Sequence, residues 1–149
     1  MKVKVGKKEF DSKILFNTEE NSYRIEILDN SNVMGYATFR IKRNRYQDSI
    51  WLYKIETYPK YAHTGVGTAT INLLEYFALQ NKAQVVEGKF YPENEFAKPF
   101  YNKYGYSIEK EDYETYIYKA LDYKKIKENI EPNITKYEEQ LDEQSELNM

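Results

Sequence analysis

Apolar and polar positions alternate with a period of two over residues 23–29 (YRIEILD) and again over 33–41 (VMGYATFRI), which predicts strands with one buried face. Asn30, Ser31 and Asn32 supply turn chemistry between them, so the two runs form a β-hairpin. Residues 2–5 alternate Lys and Val and predict a short first strand, while residues 10–20 have no clear period. Residues 49–58 (SIWLYKIETY) read as another strand, preceded by a polar loop at 42–48 and ended by Pro59. The period then changes. Val66, Ala69, Leu73, Leu74, Phe77 and Ala78 recur three or four apart, which predicts an amphipathic helix over about 66–80, closed by Asn81 and Lys82. A strand at 83–89 (AQVVEGK), a polar loop at 91–95 and a second helix follow. Gly105 suits the left-handed position just past that helix, and two strands are expected at 106–109 and 113–120.

From Asp122 the composition shifts. Residues 122–149 hold eight acidic and four basic side chains in a chain of net charge −2, so the tail carries the negative charge and the body is slightly positive. The expected organisation is one body over 1–121 and an acidic, partly helical tail over 122–149. Ile126, Ile130, Ile134, Tyr137 and Leu141 form one apolar stripe that can pack on the body or on a second copy, as in a homodimer. Pro132 must end one helix or begin another, and a fraying terminus is expected for the last eight residues or so.

At 149 residues the chain can build a core without staples. Its near-balanced charge argues neither for a nucleic-acid partner nor for a membrane surface. It has no cysteine and one histidine, His63, which excludes a thiol nucleophile and argues against a metal site. The first residues, MKVKVGKKEF, lack a signal-like apolar run, and no later run approaches a membrane span; a cytoplasmic protein is expected. The 16 tyrosines suit half-buried positions with the hydroxyl in water.

The chemistry concentrates in residues 58–79, YPKYAHTGVGTATINLLEYFAL. Gly65 and Gly67 lie between a strand and a helix, where the chain bends tightly and a ligand can approach the backbone. The helix N-terminus adds unpaired N–H groups and the positive end of its dipole, an anion site suited to a pyrophosphate. A dinucleotide fingerprint fails, because Thr70 stands where a third small residue is needed, and Gly67-Thr68-Ala69 is not a P-loop ending.

This loop resembles the acyl-CoA loop of the GNAT family, the Gcn5-related N-acetyltransferases, whose pattern is Arg/Gln-x-x-Gly-x-Gly/Ala after a strand and a proline. Gly65 and Gly67 match; Ala62 stands at the Arg/Gln position. A second segment, residues 94–106 (NEFAKPFYNKYGY), resembles the family's closing signature of Asn, Ala, an aromatic-Tyr pair and Gly-Tyr. Pro99 falls within the helix that this signature implies, so the helix is expected to begin near Pro99. The two matches and the element order cover about residues 23–121.

The resemblance implies an α+β fold, a mostly antiparallel sheet splayed between strands 49–58 and 83–89 with helices on both faces. It implies an acetyl-CoA-dependent N-acetyltransferase with no metal, acting on a primary amine of a protein or small molecule. The backbone of Ile55 and Thr57 would pair with the pantetheine arm, and Ala62, His63, Thr64, Gly65, Val66, Gly67 and Thr68 would hold the pyrophosphate, with Asn94 beside the cofactor and Lys60 as a further cation. Glu87 and Glu56 are the candidate general bases, Glu87 ahead. Tyr101 is the candidate acid for the departing thiolate. Without cysteine, direct transfer in a ternary complex is the natural scheme. Relatives carry two helices between their first two strands, and residues 10–22 are too few for both, which implies an open acceptor face. Two other readings stay open: a CoA-binding module without turnover, and an enzyme for aminoacyl-tRNA using Arg40, Lys42, Arg43 and Arg45.

Overall fold

The computed structural model describes residues 1–91, 93–111 and 113–135. Among these residues nine strands form one sheet: β1 (Lys2–Val5), β2 (Lys8–Asn17), β3 (Ser22–Asp29), β4 (Asn32–Lys42), β5 (Ser49–Thr57), β6 (Val85–Phe90), β7 (Ser107–Glu111), β8 (Glu114–Ala120) and β9 (Ile134–Thr135). Their order is β7-β8-β6-β5-β4-β3-β2-β1-β9. The β5–β6 pair is parallel and the other pairs are antiparallel. Three helices accompany them, α1 (Val66–Gln80), α2 (Ala97–Lys103) and α3 (Tyr123–Asn129). The expected mixed sheet and α+β class are therefore observed.

The apolar face of the sheet meets α1. Ile25, Ile27, Ala37, Phe39, Ile50 and Leu52 join Ala69, Leu73, Leu74 and Phe77 in one core, with Phe77 packing on Tyr23 and Phe39 at 4.9 and 5.1 Å between ring centroids. Leu73 and Leu74 are fully buried, each worth roughly 2 kcal/mol in apolar transfer. The opposite face carries Arg24, Glu26, Tyr36, Lys54 and Glu56, joined to one another by ion pairs and hydrogen bonds.

Three features fill in what the sequence left open. Residues 10–20 are mostly strand: β2 joins β1 through the turn at Gly6 and Lys7 and pairs with β3 along its length. Second, α2 begins at Ala97, with Pro99 third rather than first. The first-turn N–H groups of a helix have no intrahelical acceptor, so Pro99 removes no bond there. Third, Asn94 lies outside α2, and its side chain accepts from the Phe96 N–H at 3.2 Å.

Beyond Asp122, which caps α3 by accepting from the Lys125 N–H, the chain returns across the molecule. Ile126 is buried, the Tyr123 hydroxyl donates to the Ala83 carbonyl at 2.6 Å, and a short turn at Glu131–Asn133, containing Pro132, leads into β9 beside β1. Tyr137 and Leu141 of the expected stripe lie outside the described residues. No helix among the described residues is long and apolar enough to cross a membrane.

Candidate active site at the fork of two strands

Strands β5 and β6 run side by side from Ser49 opposite Val85 to Leu52 opposite Gly88, and then part. Past that point β5 pairs only with β4 and β6 only with β8. The register between β4 and β5 shifts so that Tyr53 is an extra residue; such a bulge bends the strand that carries it. Gly88 sits at the fork itself, where a Cβ would meet the Leu52 carbonyl oxygen at 2.5 Å. The open arm of β5, residues 53–57, therefore offers backbone to a ligand on its β6 side, as a sheet edge does.

The arm leads through a 3₁₀ turn at Pro59–Tyr61 to Gly65, whose φ of 95° lies in the left-handed region, and so into α1. No side chain caps α1, and its first intrahelical bond runs from the Ala69 N–H to the Gly65 carbonyl at 3.0 Å. The N–H groups of Val66, Gly67 and Thr68 precede that bond and have no intrahelical acceptor, the arrangement that suits an anion. Gly67 adjoins Thr57: a Cβ there would lie 3.6 Å from Thr57 Oγ1 and 3.0 Å from the Phe100 ring. Ala62 and His63 are exposed beside it, His63 with a φ of 62°. The Thr64 hydroxyl donates to the Tyr61 carbonyl.

The second wall is α2. Tyr101 is buried, and its ring stacks on Phe90 at the end of β6, 5.7 Å between centroids. Burial pushes its phenol well above the ordinary tyrosine value. Its hydroxyl bonds none of the described residues and is not sealed from solvent; the buried side-chain atom among them that lacks a partner is Arg40 Nε. Tyr104, which ends α2, shares a hydrogen bond between its hydroxyl and Thr68 Oγ1.

The two carboxylates differ in setting. On β6, Glu87 accepts from the Tyr116 hydroxyl at 2.8 Å and from the Ser49 hydroxyl at 3.4 Å. On β5, Glu56 accepts from the Tyr36 hydroxyl at 2.7 Å and pairs with Lys54 at 3.3 Å. The Tyr36 hydrogen bond, helped by Lys54, holds Glu56 below the ordinary carboxylate range, which makes it a weaker base than a free carboxylate.

The fold thus brings Ile55, Glu56, Thr57, the loop to Thr68, Glu87 and Tyr101 to one fork, while Asn94 is engaged in the turn before α2. The sequence pattern missed Gly88, Phe100, Tyr104 and Tyr116, as well as Lys8, whose ammonium donates to the Thr64 carbonyl at 3.0 Å. The side chains of the Arg40–Arg45 group have separate partners. Arg43 pairs with Asp48 at 2.6 Å and with the Asn81 carbonyl, Arg40 donates to the Glu20 carbonyl, and Lys42 sits 4.0 Å over the Trp51 ring. Among the described residues no group of three or more His, Cys, Asp or Glu could hold a metal ion.

Comparison with known proteins agrees with this geometry. Residues 4–106 match the profile of the Acetyltransferase (GNAT) family. The PaiA N-acetyltransferase of Thermoplasma acidophilum, solved with coenzyme A, superposes with a TM-score of 0.61 at 18% identity, over 68% of this chain and 62% of that one. This chain therefore spans less than two thirds of that protein's length. A GNAT-family acetyltransferase of Staphylococcus aureus gives 0.62 at 15% identity, over 71% and 75% of the two chains. The Campylobacter jejuni N-acetyltransferase PseH, solved with acetyl coenzyme A, gives 0.55 at 14%, over 68% and 70%. No curated protein matches the sequence.

Proposed function

The chain belongs to the GNAT acetyltransferase family, and on that premise we propose that it is an acetyl-CoA-dependent N-acetyltransferase that carries an acetyl group directly to a primary amine. The observation that carries this reading is the fork: a one-sided β5 arm that runs into an uncapped helix N-terminus, with a buried tyrosine of α2 stacked against the end of the other arm. Coenzyme A is bound in two of the similar structures.

In this reading the pyrophosphate lies on the N–H groups from His63 to Thr68, with Lys8 and Lys60 as the cations nearest the loop. The pantetheine arm extends along residues 53–57 as an added strand, and a β5 N–H polarises the thioester carbonyl. A neutral amine attacks that carbon. The C–N bond forms, the C–S bond breaks, and the amine's proton passes to Glu87 directly or through water. Tyr101 gives its proton to the departing sulfur. The burial that keeps the phenol protonated also penalises a free thiolate beside it, so the two remain matched.

Ala62 and the Phe100 ring over Gly67 favour a second reading, a module that binds CoA without turnover. Incubation of the protein with acetyl-CoA and a panel of amines and peptides separates the two. The transferase reading predicts free CoA thiol together with an acceptor heavier by one acetyl group. Tight binding of acetyl-CoA without either product supports the module.

A further inference from the structure

Side chains that this chemistry leaves unused form a buried polar link between α1, α2 and β8. Glu75, in the middle of α1, is 3% exposed. Lys119 of β8 donates to its Oε1 at 2.8 Å and to the backbone carbonyl of Tyr104 at 2.7 Å. The Tyr106 hydroxyl approaches Glu75 Oε2 at 3.5 Å, and the Tyr106 N–H donates to the Tyr101 carbonyl at 3.0 Å. One ammonium therefore ties the helix that begins at the anion loop to the end of the helix that carries Tyr101.

Stability alone is a poor reason for such a pair. Desolvation of the buried Glu75 offsets much of its attraction to the half-buried Lys119, and apolar replacements of similar volume at a buried ion pair are commonly neutral or stabilising. The pair does supply direction. With seven residues, α2 is too short to hold its own conformation, and its last carbonyls need partners from outside. Lys119 is such a partner for Tyr104, three residues after Tyr101.

We infer that the Glu75–Lys119 pair is a positioning device: it fixes the rotation and depth of α2, and so the place of the Tyr101 hydroxyl at the fork. This rests on the reading of Tyr101 as the proton donor. The test compares four full-length proteins: wild type, Tyr101→Phe, the double replacement Glu75→Met with Lys119→Met, and all three changes together. Their kcat, acetyl-CoA KM and melting temperature are measured. The double replacement is expected to melt close to wild type and to change KM less than about threefold, while lowering kcat about tenfold to a hundredfold. In the Tyr101→Phe background it is expected to add no further loss. An unchanged kcat, or an equal loss in both backgrounds, overturns the inference and leaves the transferase reading standing. A wild-type protein without turnover overturns both. If the double replacement does not fold, Glu75→Gln carries the same comparison, since its amide oxygen still accepts from Lys119. A loss of about threefold confined to the Tyr101 background is then expected, and equal losses in both backgrounds overturn the inference.

Discussion

The Cβ position of Gly88 lies 2.5 Å from the carbonyl oxygen of Leu52. Two strands that are parallel up to this point separate just beyond it. Any side chain at Gly88 must push backbone rather than a flexible side-chain end. Gly88→Ala is therefore expected to cost about 1–3 kcal/mol of stability and to weaken acetyl-CoA binding by moving the β5 arm. Thermal melts with and without ligand check both. A variant that melts and binds as wild type would mean that the fork does not depend on this contact.

Tyr101→Phe keeps the stack on Phe90 and removes the proton. It is expected to leave acetyl-CoA affinity unchanged and to lower kcat by about one to three orders of magnitude. The pH profile adds a sign. The active form is the protonated phenol, and burial raises its pKa above the ordinary 10.0. The alkaline fall in kcat due to this group should therefore begin above the range of a free tyrosine. A fall centred below that value, or full turnover in the Phe variant, would return Tyr101 to a packing role.

At the loop, Ala62 is exposed just before the N-terminus of α1. Ala62→Arg is expected to tighten acetyl-CoA binding about fivefold to tenfold, the size of one charge-assisted hydrogen bond to a phosphate at a wet site. The gain should shrink as salt is raised. Titration calorimetry at two ionic strengths measures it, and equal affinity at both would remove the phosphate from this position.

The Tyr36–Glu56 hydrogen bond links acidity to stability. Glu56 sits below its ordinary carboxylate range in the folded protein, first because the Tyr36 hydroxyl donates to it and then because of Lys54. Its contribution is therefore complete above the unfolded carboxylate pKa and is lost as the pH falls through the lower folded value. Tyr36→Phe should narrow the gap in melting temperature between neutral and acidic pH. An unchanged gap would assign acid sensitivity to other carboxylates, such as Asp48, which Arg43 also holds low.

Local signals made the helix at Val66–Gln80 and the β3–β4 hairpin legible, because their apolar spacing and turn residues agree with their burial. Strand β2 was not legible. Its buried positions are Phe10 and the polar Ser12, while Leu15 and Phe16 are 42% and 48% exposed, so hydropathy runs against the true inside-outside alternation. Pro99 marks the start of α2 only to within a turn, because a proline at any position in the first turn leaves the helix bonds intact. The loop and Tyr101 could be found from short motifs. Bonds such as Tyr104–Thr68, Tyr116–Glu87 and Lys8–Thr64 join distant segments, and no one-dimensional period encodes them.

The central claim is that the fork and the loop hold acetyl-CoA. Titration calorimetry of the full chain with acetyl-CoA, beside free acetate and adenosine 5′-monophosphate, tests it most directly. The account predicts saturable one-to-one binding of acetyl-CoA, weakened by Gly67→Val, whose side chain would crowd Phe100 and Thr57, and far weaker binding of the two fragments. No heat of binding and no rise in melting temperature with acetyl-CoA would contradict it.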